Sequence, residues 1–183
     1  MYRQEIRKLT ISAMLFAMGL VLPFLTGQIP RIGSMLLPMH IPVFLCGLIC
    51  GWKYGAMVGV LLPVVRSFLF GMPPVVPTAV AMSFELCTYG AIAGFVYFRL
   101  GYFCMRSLYK SMLLAMVAGR VVWAAAMMVL MGVNGGTFTF EMFAAGAFLN
   151  AIPGIALQLV LIPAVMVALG KTKLIHFGEG CTV

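Results

Sequence analysis

The chain has 183 residues, 63% of them hydrophobic and 9% charged, with a net charge of +8 and a mean hydropathy of +1.11. Soluble domains carry about 25% charged residues, so this composition excludes a water-facing globular surface and leaves a multi-spanning membrane protein. The positive balance is read as basic loops facing the cytoplasm, not as nucleic-acid binding.

At about 20 residues per span, the length allows roughly five to seven spans and no separate soluble domain. Six are expected, at about 9–25, 38–51, 54–70, 78–98, 111–133 and 142–169, in one all-α membrane domain. The basic start and apolar run of MYRQEIRKLTISAMLFAMGLVLPFL resemble a signal peptide, but no A-x-A-like site follows. It is expected to stay as the first helix. Within it Ala13 and Ala17 form a small-xxx-small face of the kind that lets helix backbones approach closely in lipid. Residues 28–40, QIPRIGSMLLPMH, form a loop apolar enough to fold back, either as a lid over a cavity or against headgroups.

The segment that follows, Ile41 to Cys50, is short for a span, and charge decides its reading. With six crossings and the N-terminus inside, the inner side holds Arg3, Arg7, Lys8, Lys53, Arg99, Arg106, Lys110, Lys171 and Lys173, and the outer side only Arg31. Without that crossing, Lys53, Arg99, Arg106 and Lys110 would all lie outside, against the positive-inside rule. Six crossings put both termini in the cytoplasm.

The third span pairs Gly55 with Gly59 and carries Pro63; the fourth follows a Pro-rich turn and pairs Gly90 with Gly94. Between the fourth and fifth, RLGYFCMRSLYK (99–110) reads as a basic, aromatic loop at the interface or a docking surface for a cytoplasmic partner. Asn134-Gly-Gly-Thr137 is a turn, and Glu141 caps the start of the sixth span.

Arg66, Glu85 and Arg120 are the ionisable groups inside the spans. A charge at mid-membrane costs at least about 2.5–3.5 kcal/mol, so each should face the bundle interior or a cavity. Arg66 and Glu85 lie on consecutive spans joined by a tight turn, so they are expected to meet, with Tyr89 one turn below Glu85 on the same face. Two readings stay open: a buried ion pair that fixes helix register, or an outward-facing pocket whose spare arginine recognises an anionic ligand group. His40, Asn150 and Gln158 would add neutral hydrogen bonds.

Catalysis and metal binding lack their motifs. HExxH, a GxSxG turn and a Walker A sequence are all missing, so the chain is read as no enzyme and as unable to hydrolyse ATP itself. Of five cysteines, Cys46 and Cys50 share a helix face, but no second pair completes a metal site. No metal and no cofactor are expected.

The size, the six short spans, the Ala13/Ala17 face and above all LPMHIPVFLCGLICGWKYGAMVGVLLPVVRSFLFGMPP (37–74) resemble the substrate-binding S components of energy-coupling factor (ECF) vitamin transporters, in particular the group of pantothenate-type and related vitamin carriers. The resemblance implies a bacterial plasma-membrane protein that binds a vitamin near the outer face under the first loop. It implies association with a transmembrane T component and two ATP-binding subunits, with Ala13 and Ala17 on the docking face. The substrate-binding set expected from the residues themselves is His40, Arg66, Glu85, Tyr89, Arg120 and Asn150. A stand-alone secondary carrier for a small anionic solute, with Glu85 as its coupling group, is the alternative.

Overall fold

The computed structural model describes residues 2–25, 37–101, 103–133 and 152–172. They form six α-helices: α1 Tyr2–Leu25, α2 His40–Cys50, α3 Trp52–Phe70, α4 Val80–Leu100, α5 Met105–Val133 and α6 Ile152–Lys171. Five are long and apolar enough to cross a membrane. The chain is therefore an all-α, polytopic membrane protein.

The exception is α2, which has 11 residues and is about 16 Å long, near half a hydrocarbon core. Every residue of it except Ile49 is buried, and it touches α1, α3, α4 and α6. A helix wrapped in protein need not match the bilayer thickness, so this short segment is the bundle's interior strut. Gly51 joins it to α3 with φ +100°, a value that favours glycine. Because the hairpin fixes its C-terminal end level with the start of α3, α2 begins part-way through the bundle. His40 is thereby placed in the interior.

Glycines set how closely α2, α3 and α4 approach. A Cβ on Gly47 would stand 2.5 Å from the Gly90 carbonyl oxygen, and one on Gly55 would stand 2.6 Å from the Gly47 Cα. A Cβ on Gly94 would lie 2.6 Å from the Gly47 oxygen, and one on Gly59 would overlap the Leu86 backbone. Three backbones thus meet with no side chain between them. In lipid, where apolar burial drives little, such van der Waals contact is a main source of helix association.

Around this block α1 packs by the stripe Ser12, Leu15, Gly19 and Pro23, spaced as a helix face requires. Ser12 Oγ donates to the Lys8 carbonyl at 2.7 Å, and Cys46 Sγ lies 3.5 Å from Ser12 Oγ. At the start of α1, Tyr54 donates its hydroxyl to Glu5 Oε2 at 2.9 Å, fastening α1 to α3. Gly71, at φ +70°, ends α3, and the Ser67 hydroxyl donates to the Pro73 carbonyl across the turn. The segment Val75–Ala79, kinked by the extended backbone of Val76 (φ −120°, ψ 133°), then leads into α4.

One expected boundary differs. Gly101, at φ +69°, ends α4, and the Leu108 N–H already bonds the Cys104 carbonyl at 3.0 Å. The next helix therefore begins at Met105, and half of the basic segment expected as a loop is the first turns of α5. Serines and prolines adapt these helices from within: Pro163 removes an N–H from α6, and Tyr109 of α5 donates its hydroxyl to the freed Leu159 carbonyl at 3.2 Å.

Candidate functional site

Four polar side chains, His40, Glu85, Tyr89 and Arg120, gather from α2, α4 and α5. Glu85 Oε1 is 3.0 Å from Arg120 Nη1, accepts the Tyr89 hydroxyl at 3.0 Å, and has His40 Nε2 3.7 Å away. His40, Glu85 and Tyr89 are 2% exposed or less, and Arg120 is 9% exposed. Each member arrives by a local rule. Glu85 and Tyr89 are four residues apart on one face of α4. His40 opens α2, whose N-terminus carries no side-chain cap.

Tyr89 is held on three sides. Its ring stacks on Phe44 at 5.0 Å between centroids and tilts against His40 at 5.2 Å. The third side is Gly119, where a Cβ would overlap the ring. Gly119 precedes Arg120 on α5, so the glycine that admits the ring also sets the height at which the guanidinium meets Glu85.

Several buried polar atoms have no hydrogen-bond partner among the described residues: both ring nitrogens of His40 and Nη2 of Arg120 in this cluster, and Nε2 of Gln158 on α6. Buried polar groups are paired in the large majority of cases, and leaving one unpaired costs about 1–3 kcal/mol. Arg120 therefore places one terminal nitrogen on Glu85, while the other, a strong donor and buried, has no partner among the described residues. The uncapped N-terminus of α2 opens at the same level and adds partial positive charge.

Arg66 stands elsewhere. The expected meeting with Glu85 does not occur; Arg120 takes that place. Arg66 Nη1 instead donates to the Leu20 carbonyl at 2.7 Å, and the guanidinium lies 5.2 and 5.5 Å from the rings of Phe24 and Phe70. The tight turn does join α3 to α4, but Arg66 leaves α3 on the side that faces α1.

Two further features complete the geometry. On α1, Ala13 and Ala17 lie on the exposed face, with Met14, Met18 and Val21 around them, opposite the packed stripe. Among the described residues, no three His, Cys, Asp or Glu side chains gather as a metal site would need.

The family model of the ECF transporter, substrate-specific component, matches residues 7–169. The chain belongs to that family.

No curated protein and no solved structure matches the S component. Membership makes it a multi-pass membrane protein and a substrate-specific component of an ECF transporter, which is a transport family and not an enzyme family. Of the six substrate-binding residues expected from the sequence, His40, Glu85, Tyr89 and Arg120 form one cluster, and Arg66 stands apart from it. Asn150, Glu141, the turn at 134–137 and most of the first loop lie outside the described residues. Sequence reading missed Phe44 and Gly119. Phe44 carries no signal beyond being apolar, whereas a glycine directly before a buried arginine marks close approach by another group.

Proposed function

We propose that this S component is the high-affinity binding subunit for a vitamin or related micronutrient, with pantothenate favoured, and that the vitamin's acidic group is held by Arg120. The carrying observation is the buried guanidinium whose Nη2 has no partner among the described residues while Nη1 is fixed by Glu85. A carboxylate taking Nη2 would gain a charge-assisted hydrogen bond in a water-poor site, worth about 1.5–3 kcal/mol. The α2 N-terminus would add to it, and His40 and Gln158 would bond the neutral polar atoms of the ligand. Asn150 joins the set in this reading. Arg66 serves from the rim, by pinning α1.

The vitamin is proposed to enter from the outer face beneath the first loop, in a bacterial plasma membrane with both termini cytoplasmic. A transmembrane T component and two ATP-binding subunits would then drive uptake, with the T component docking on the α1 face that carries Ala13 and Ala17. The exposure of both alanines on a face that packs against no other described helix supports this assignment.

Mass spectrometry of small molecules co-purifying with the protein tests the ligand, and capture from native membranes tests the partners. An acidic vitamin together with an ATPase pair is the expected result. Uptake without ATPase partners, driven by a proton gradient, would overturn this reading in favour of a secondary carrier coupled through Glu85.

A further inference from the structure

His40 is buried without a hydrogen bond. It is 1% exposed, and neither ring nitrogen has a partner among the described residues. Nε2 stands 3.7 Å from Glu85 Oε1, just past hydrogen-bond length and within reach of an ion pair. A neutral imidazole donates from one nitrogen and accepts at the other, whereas the protonated ring donates from both. Protonated, His40 would turn one N–H to the Glu85 carboxylate and keep the second for an acceptor on a ligand.

Charge balance decides when that proton belongs there. Facing His40, α4 presents Glu85 and Tyr89, and α5 presents Arg120. The other basic groups of α5, Arg106 and Lys110, sit in its first turns with Tyr109. The charged residues of α1 lie in its first turns, where Glu5 is tied to Tyr54 at the start of α3. That is the Cys50 end of α2, about 15 Å from His40 at 1.5 Å per residue. On α3, Lys53 lies at the same end, and Arg66 is turned to the Leu20 carbonyl of α1. The charged residue of α6 is Lys171, its last.

The local set is thus one carboxylate and one guanidinium, neutral overall beside an uncharged His40. An anionic group arriving at Arg120 would leave one negative charge in excess, in an interior where charges interact several-fold more strongly than in water. One proton on His40 restores neutrality, and histidine is the side chain that ordinarily changes charge between pH 5 and 8.

We propose that His40 takes up one proton as the ligand's acidic group binds Arg120, which makes it a specificity-determining residue. Ligand anion and proton enter together; a neutral analogue of the same shape brings no proton with it. The uptake rests on Arg120 holding the acid, as proposed for this S component.

Titration calorimetry of the full chain with pantothenate, in buffers of different ionisation enthalpy, counts the protons taken up. At pH 7 the count should approach one per ligand. The bound state holds the extra proton, so affinity should rise as pH falls and be at least about tenfold weaker at pH 8 than at pH 6. A ligand carboxylate stays ionised throughout that range. Panthenol, with a hydroxymethyl group in place of the carboxylate, should bind more weakly and without uptake. The sequence holds two histidines, so in His176→Gln every ring-nitrogen NMR signal of histidine is that of His40. That signal should move to the imidazolium position when pantothenate is added. His40→Gln should lose both the proton uptake and the pH dependence. Pantothenate binding without uptake would overturn this role of His40 and leave the ligand reading of Arg120 standing. Uptake that persists in His40→Gln would put the proton on another group and overturn it as well, as would equal uptake with panthenol. No pantothenate binding at any pH would overturn both. Should His40→Gln not fold, the ring signal in His176→Gln decides alone.

Discussion

Glu85 on α4 and Arg120 on α5 meet at 3.0 Å inside the bundle, with Tyr89 donating to the same carboxylate oxygen. The pair ties two neighbouring helices while leaving Arg120 Nη2 unpartnered among the described residues, so one contact bears on both stability and recognition. These two roles separate experimentally. Arg120→Ala leaves a carboxylate uncompensated and should destabilise the protein by about 3–5 kcal/mol, because breaking one side of a buried pair costs more than the pair gains. The double variant Glu85→Leu/Arg120→Met should recover most of that loss, yet bind the proposed ligand, pantothenate, at least tenfold more weakly. Unfolding in detergent and titration calorimetry read the two effects. Full binding by the double variant would reduce the cluster to a structural pair.

Arg66 should behave differently. Its guanidinium joins the Leu20 carbonyl at 2.7 Å and lies over Phe24 and Phe70. Arg66→Ala should therefore lower stability by about 1.5–3 kcal/mol through the lost charged hydrogen bond, with a smaller effect on pantothenate affinity than Arg120→Ala. Arg66→Lys should rescue little, since an ammonium cannot stack on the two rings while reaching the carbonyl. An affinity loss in Arg66→Ala as large as in Arg120→Ala would return Arg66 to the ligand itself.

The contrast between these arginines shows what the sequence makes legible. Glu85 and Tyr89 are joined by helix periodicity alone, and Gly55, Gly59, Gly90 and Gly94 announce close packing by their spacing. Long apolar runs make the helices plain. Which arginine reaches Glu85 depends on how far α3 and α4 are rotated about their axes. That rotation is set by the Gly47–Gly55–Gly90 crossing, a contact among three segments that no local pattern encodes. The start of α5 was hidden for a related reason: the basic residues of 99–110 look alike in a loop or in a first helical turn, and only Gly101 marks the break. The interior position of α2 follows from what surrounds it and not from its own composition.

Steric contact at the crossing gives a prediction of sign. Gly47→Ala would place a methyl 2.5 Å from the Gly90 carbonyl oxygen, against backbone that cannot yield, and should cost about 1–3 kcal/mol or more. Gly132→Ala on α5 meets nothing within 4 Å and should stay within about 0.5 kcal/mol of the parent. Melting of the two variants in detergent compares them directly. Equal melting would mean that α2 and α4 do not pack through their glycines.

Ala13 and Ala17 test the partner reading without touching the ligand. Both are exposed on α1, so Ala13→Leu/Ala17→Leu should fold and should bind the proposed ligand, pantothenate, with the parent's affinity. It should nevertheless lose capture of the T component by at least tenfold, because added side chains hold two helix backbones apart. Undiminished capture would move the docking surface to another face.

The last relationship is between a proline and the tyrosine that compensates for it. Pro163 cannot donate to the Leu159 carbonyl, and Tyr109 supplies the missing donor from α5 at 3.2 Å. Tyr109→Phe should then cost about 0.5–1.5 kcal/mol, the usual net value of one hydrogen bond. Pro163→Ala restores a backbone N–H to the same carbonyl, so Tyr109→Phe made in that background should cost much less. The difference between the two costs, taken from a double-mutant cycle of unfolding free energies, is the coupling between α5 and α6 at this point. Additive effects would show that the tyrosine contributes by packing alone, and that the proline's freed carbonyl is satisfied by something other than the tyrosine hydroxyl.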